Sequence, residues 1–106
     1  MLAGCSTTTK VPSDGTLRVA LTEYHVRPQS VSAAPGLLMI VVHNYGRLSH
    51  NLVISQNGHP EASTKAIPPG QTTDLFCDLP PGKYVMASTI LSDQALGAYG
   101  SLTIAK

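Results

Sequence analysis

Apolar residues recur at every second position through much of this chain, with polar or small residues between them. Leu17, Val19 and Leu21 alternate with Arg18 and Ala20, which predicts a strand with one buried face. Tyr24 and Val26 continue the inward set, and His25 points outward between them. Pro28 breaks the run, as expected at an edge or where a strand switches sheets. Val31 and Ala33 resume it, and Pro35-Gly36 turns the chain. Leu38, Ile40 and Val42 form the inward face of the next strand, with Met39, Val41 and His43 opposite. Every residue from Leu37 to Val42 is apolar, which predicts partial cover on both faces.

Asn44-Tyr45-Gly46 reads as a turn, and a strand from His50 to Ile54 points Leu52 and Ile54 inward. Ser55 to Ala66 shows no clear period and carries His59-Pro60, so a loop is expected there. Pro68-Pro69-Gly70 leads into a strand over Thr73 to Leu79, with Leu75, Cys77 and Leu79 on one face. Pro80-Pro81-Gly82 leads into the last strand pair, Tyr84 to Ile104, which encloses a loop of about ten residues. Tyr84, Met86 and Ser88 point inward on its first strand, Leu102 and Ile104 on its second. About seven or eight short strands with turn signals at this spacing make an all-β sandwich.

Composition narrows the picture. A chain of 106 residues is one domain with one core. Charged residues are 12%, about half the usual share, and the net charge is +1. Nucleic acid is therefore not an expected partner, since that needs a basic patch. With no Trp and one Phe, the core must be aliphatic. No stretch reaches the ~18 apolar residues of a membrane span.

The first residues suggest another route to a membrane. Leu2-Ala3-Gly4-Cys5 resembles the lipobox of bacterial lipoproteins, in which the Cys becomes the first residue and carries lipid. A charged and apolar signal segment normally precedes such a box, so a trimmed or late-starting chain is expected. Ser6 to Gly15 is polar and reads as a flexible tether of at most roughly 35 Å. The expected division is residues 1–15 as lipobox remnant and tether, and residues 16–106 as the folded domain. Lipid on Cys5 would be the membrane anchor, and the location extracytoplasmic, in the periplasm or on the cell surface.

Two motifs then carry a family resemblance. Asn44-Tyr45-Gly46-Arg47-Leu48-Ser49-His50-Asn51 follows the pattern N-x-G-x-x-x-H-N. Pro81-Gly82-Lys83-Tyr84 opens the last pair, and Gly100-Ser101-Leu102-Thr103-Ile104 closes it. Over roughly residues 16 to 106, the chain resembles the cupredoxins, the small blue-copper β-sandwiches. The resemblance implies a Greek-key sandwich of 7–8 strands, with Asn44, Gly46, Asn51 and Tyr84 in structural roles. In that family, the residue after the His ties two loops together by hydrogen bonds.

The family's last loop reads C-x-x-x-x-H-x-x-x-x-M. Here those positions hold Ser88, Asp93 and Ala98, so His50 alone remains of the four copper ligands. A type 1 site needs a thiolate, two imidazoles and usually a thioether. A serine hydroxyl stays protonated and binds soft copper poorly, aspartate offers a hard oxygen, and alanine offers nothing. No metal cofactor is therefore expected, and copper is the alternative that the resemblance alone would imply.

His50 then reads as a structural imidazole closing one end of the sandwich. A weaker site of His50 with Asp93 would suit Zn or Cu(II). Ser88, His50 and Asp93 also have the composition of a hydrolase triad, yet no G-x-S-x-G elbow is present and no enzyme is expected. Cys77 reads as a small buried hydrophobe. Met39, Met86, His25, His43 and His59 are scattered rather than clustered. Tyr45 and Tyr99 could ring the vacated end and meet a protein partner. The expected function is a non-redox binding or accessory module of the bacterial cell envelope. A copper carrier and a Ser88-based hydrolase are its rivals.

Overall fold

The computed structural model describes residues 8–23, 25–89 and 99–106. Tyr24, and the expectations resting on Cys5, Asp93 and Ala98, lie outside them. Ten strands follow in chain order: β1 (Thr9–Lys10), β2 (Thr16–Leu21), β3 (Val26–Arg27), β4 (Ser30–Ala33), β5 (Leu37–Asn44), β6 (Val53–Gln56), β7 (His59–Ser63), β8 (Thr72–Asp78), β9 (Gly82–Ala87) and β10 (Tyr99–Ile104). They form two mixed sheets, a six-stranded one in the order β1-β4-β10-β9-β6-β7 and a four-stranded one in the order β3-β2-β5-β8.

The period-two pattern decides which side chains lie between the sheets. Leu17, Val19, Leu21, Leu38, Ile40 and Val42 reach the interior from the four-stranded sheet, and Val31, Ile54, Tyr84, Met86, Leu102 and Ile104 from the other. Each fully buried side chain of this kind contributes about 1.5–3 kcal/mol of transfer free energy. The expected faces on β2, β4, β5, β8 and β9 are those observed. Pro28 stands between β3 and β4, which belong to different sheets, so it marks the expected switch. The last pair is antiparallel, with Tyr84 opposite Leu102 and Met86 opposite Gly100. The Tyr84 hydroxyl donates to the Pro80 carbonyl at 2.6 Å and fixes the entry to β9.

Three features differ from the sequence reading. Within the expected loop from Ser55 to Ala66, β6 and β7 form a hairpin. Asn57 and Gly58 sit at its tip with φ of 52° and 80°, the left-handed pair that a tight two-residue hairpin turn requires. β7 escaped the period because it is an edge strand exposed almost throughout, and Pro60 is tolerated at such an edge. Second, β1 lies in the stretch expected to be tether. Thr9 and Lys10 pair in parallel with Val31 and Ser32, Val11 N–H donates to the Ser32 carbonyl at 2.9 Å, and Val11 packs on the core. Backbone pairing at a sheet edge needs no apolar alternation, so no period announced it. Third, the partial cover expected on the outer face of β5 stops short of its first residue. Leu37 is 67% exposed and Phe76, on β8 beside it, 59%, while Met39 and Val41 are half-buried.

Candidate functional site

The buried polar side chains among the described residues are Asn44, His50 and Ser88, and all three lie at one end of the sandwich. Asn44 continues the inward series Leu38, Ile40, Val42 on β5, so alternation delivers it to the rim of the core. Its Oδ1 accepts from Gly46 N–H at 2.8 Å, which closes the turn. Its Nδ2 donates to the Leu48 and Ile67 carbonyls, each at 2.8 Å. Ile67 in turn forms a two-way backbone bridge with His50, at 3.2 and 2.6 Å. Asn44 thereby joins the end of β5, the 44–49 turn and the segment before β8, and His50 is seated against that junction with no exposure.

Ser88 arrives in the same way, continuing Tyr84 and Met86 on the inward face of β9. Its Oγ accepts from Asn51 N–H and donates to Asn51 Oδ1, both at 3.3 Å. Asn51 Oδ1 also accepts from Thr89 N–H at 2.7 Å, and its Nδ2 donates to Thr89 Oγ1 at 3.0 Å. Asn51 thus ties the segment after the 44–49 turn to the segment after β9. The site residues taken from the sequence divide accordingly. His50, Asn51, Asn44, Gly46 and Ser88 come together at this end, and Tyr84 braces the Pro80 turn instead.

Glu23 belongs to the site and was not foreseen. Its Oε1 accepts from the Arg47 and Leu48 backbone N–H groups, the latter at 3.0 Å, and lies 3.5 Å from His50 Nε2. Those two amides hold the Glu23 carboxyl below its ordinary range, because they favour the charged form. The approach is close enough that a Cβ on Gly46 would stand 2.5 Å from Glu23 Oε1, so a side chain there would displace the carboxylate. No local motif links Glu23 to a turn more than twenty residues away.

The remaining candidates disperse. Tyr45 stacks on His43 with ring centroids 4.2 Å apart, and His43 Nδ1 bonds Thr72 Oγ1 at 2.6 Å on the outer face of the four-stranded sheet. His25 and His59 are exposed on separate strands or loops, Met86 is buried and Met39 half-buried. Tyr99, opposite Ala87, is 47% exposed beside the site. Cys77 is a buried free thiol whose pKa is raised, first by burial and then by the Asp78 charge. It pairs with Leu38, six residues along β5 from Asn44, which places it roughly 20 Å from the His50 end.

The donor set does not fit type 1 copper. At this end the described residues offer the His50 imidazole, the Glu23 carboxylate and the Ser88 hydroxyl, and no Cys, His or Met follows Met86 in the sequence. No group of three or more His, Cys, Asp or Glu comes together among the described residues.

No family model and no curated protein matches the chain. Solved structures do. A dithionite-reduced auracyanin from the photosynthetic bacterium Roseiflexus castenholzii superimposes with a TM-score of 0.78 at 20% identity, over 87% of this chain and 98% of that one. The azurin Az-iso2 of Methylomonas sp. strain J gives 0.77 at 12% identity, over 89% and 100%. Rusticyanin from Thiobacillus ferrooxidans gives 0.73 at 16%, over 92% and 81%. The likeness establishes the cupredoxin fold.

Proposed function

We propose that this chain is a non-redox binding or accessory module of a bacterial cell envelope, built on a cupredoxin scaffold in which a hydrogen-bonded tie stands where the blue-copper site would be. The observation that carries the reading is the position of Ser88. The resemblance assigns that position to the copper thiolate, and here it holds a buried hydroxyl bonded both ways to Asn51. A hydroxyl cannot make the covalent bond from which a blue site takes its potential and colour. Asp93 and Ala98 remove the second imidazole and the thioether, and Cys77 is too far along the sandwich to substitute. Voltammetry of the chain after incubation with excess Cu(II) and removal of unbound metal is expected to show no reversible couple. A reversible one-electron wave would overturn the non-redox reading.

Envelope location is supported by Leu2-Ala3-Gly4-Cys5 together with the early start of β1. Four residue steps separate Cys5 from Thr9, which reach at most about 14 Å, so lipid on Cys5 would hold the sandwich close against the bilayer. Wild type is expected to partition with membranes and the Cys5→Ser variant to become soluble. A variant that stays with membranes would contradict the lipid anchor.

A second reading, copper or zinc handling, is favoured by Glu23 Oε1 standing 3.5 Å from His50 Nε2, a nitrogen and carboxylate pair that suits Zn or Cu(II). It is the weaker reading because that oxygen already serves two amides. Calorimetry with Zn(II) separates the two: heat of stoichiometric binding lost in His50→Ala would favour metal handling. The hydrolase reading has least support, since a fully buried Ser88 hydroxyl presents no nucleophile to a substrate.

A further inference from the structure

The outer face of the four-stranded sheet has an apolar centre between flanks of opposite charge. Its centre is apolar: Leu37, Met39 and Val41 on β5 and Phe76 on β8 point away from the core. Its two sides carry opposite charge. Arg18 and Arg27 are exposed on β2 and β3, and Asp74 and Asp78 are exposed on β8, across the apolar strand from them. Among the described residues the one close approach of an acidic to a basic side chain is that of Glu23 to His50, so these four charges are not paired with one another within the chain.

Register makes the arrangement specific. Arg18 lies opposite Val41, and Val41 opposite Asp74, in one row across the sheet. Arg18 and Asp74 therefore flank β5 at equal spacing, about 4.8 Å to either side. A two-fold axis running along β5 would set Arg18 of one copy over Asp74 of the other, twice. A two-fold axis across the strands would instead oppose like charges. Beside Arg18 and Arg27, under Tyr45 and His43, runs a groove of about 560 Å³, on the side that the partner copy's β8 edge would enter. Sheets packed face to face align their strands to within about 30°, which this axis permits.

We infer that this face binds a second copy of the chain, through a two-fold axis along β5 that sets Phe76 over Thr16 of the other copy, beside its Met39, and pairs Arg18 with Asp74 across the interface. An isologous contact of this kind repeats each interaction twice. The strands that overlap about this axis, β2, β5 and β8, are six, eight and seven residues long and, at about 4.8 Å apart, cover roughly 330 Å² per copy. The total falls below the ~1,200 Å² of stable interfaces, so the dimer is weak and reversible.

The test is sedimentation of the full 106-residue chain from about 10 µM to about 1 mM at low salt, where a dissociation constant on the order of 0.1 mM is readily measured. Arg18→Asp and Asp74→Arg are each expected to weaken association at least about tenfold, because each places like charges face to face. The double variant is expected to return to within about threefold of wild type. Phe76→Gln, which leaves every charge in place, is expected to weaken association as well, and Lys83→Ala on the opposite sheet to leave it unchanged. Circular dichroism confirms that each variant is folded. A wild-type chain monomeric at about 1 mM would overturn the inference and leave the face to a different macromolecule. Single reversals without effect, or a double variant no better than the singles, would overturn the proposed axis.

Discussion

The interior of the sandwich and its His50 end are made of different chemistry. Between the sheets the buried side chains are aliphatic apart from Met86, Tyr84 and Cys77, and the Tyr84 hydroxyl reaches out to a backbone carbonyl. At the end, Asn44, His50 and Ser88 are equally buried but are positioned by hydrogen bonds to backbone and to Asn51. The interior gains stability from area removed from water, which is non-directional and forgiving of detail. The end depends on directed bonds, each modest in net effect and costly when one partner is left unsatisfied. A scaffold can therefore keep its sandwich while the chemistry at its end is replaced, provided that the replacement satisfies its own polar groups.

The sharpest test of that contrast lies in the interior. Leu52→Ala is expected to destabilise by roughly 2–5 kcal/mol through the cavity left behind, read from denaturant melts. A near-neutral result would erase the distinction. Asn44→Ala comes next, at about 1–3 kcal/mol, because the Leu48 and Ile67 carbonyls lose a shared donor in a buried setting. Asn51→Ala should cost about 1 kcal/mol, since its partners at Thr89 are exposed to water. A larger loss than for Asn44→Ala would move the centre of the network to the β9 side.

Glu23→Gln should have the smallest effect and the most diagnostic one. The folded-state pKa of Glu23 lies below its ordinary value of 4.5, so the charged carboxylate stabilises the fold above that value. The contribution fades as pH falls through the lower folded value. Melting temperatures of wild type and variant are therefore expected to differ at neutral pH and to converge in acid. Curves that stay parallel across that range would remove Glu23 from the tie.

The same contrast explains what was legible in the sequence. Alternation placed Leu17, Leu38, Leu52, Met86 and Leu102 correctly because burial alone decides those positions. The N-x-G-x-x-x-H-N motif brought Asn44, Gly46, His50 and Asn51 to one end before any contact was known. Glu23 was invisible because its partners are backbone amides far along the chain, which leave no mark in side-chain pattern. The apolar period does not announce β7, because an exposed edge strand breaks it, although Asn57-Gly58 is a strong hairpin signal. β1 carries no such signal at all. The apolar run from Leu37 to Val42 predicts partial cover on both faces. Met39 and Val41 are half-buried, in keeping with that, while Leu37 at the start of the run is open.

Whether this end of the fold is a tie or a metal centre is decided most directly by one titration. Cu(II) and Cu(I) are added to the metal-free chain while bound metal, absorption spectrum and melting temperature are followed. The expected result is no stoichiometric uptake, no intense blue band and no rise in melting temperature. Tight one-to-one uptake with an intense blue band would mean that a thiolate reaches copper, and would contradict the proposal that the Asn51 and Ser88 tie stands in place of such a site.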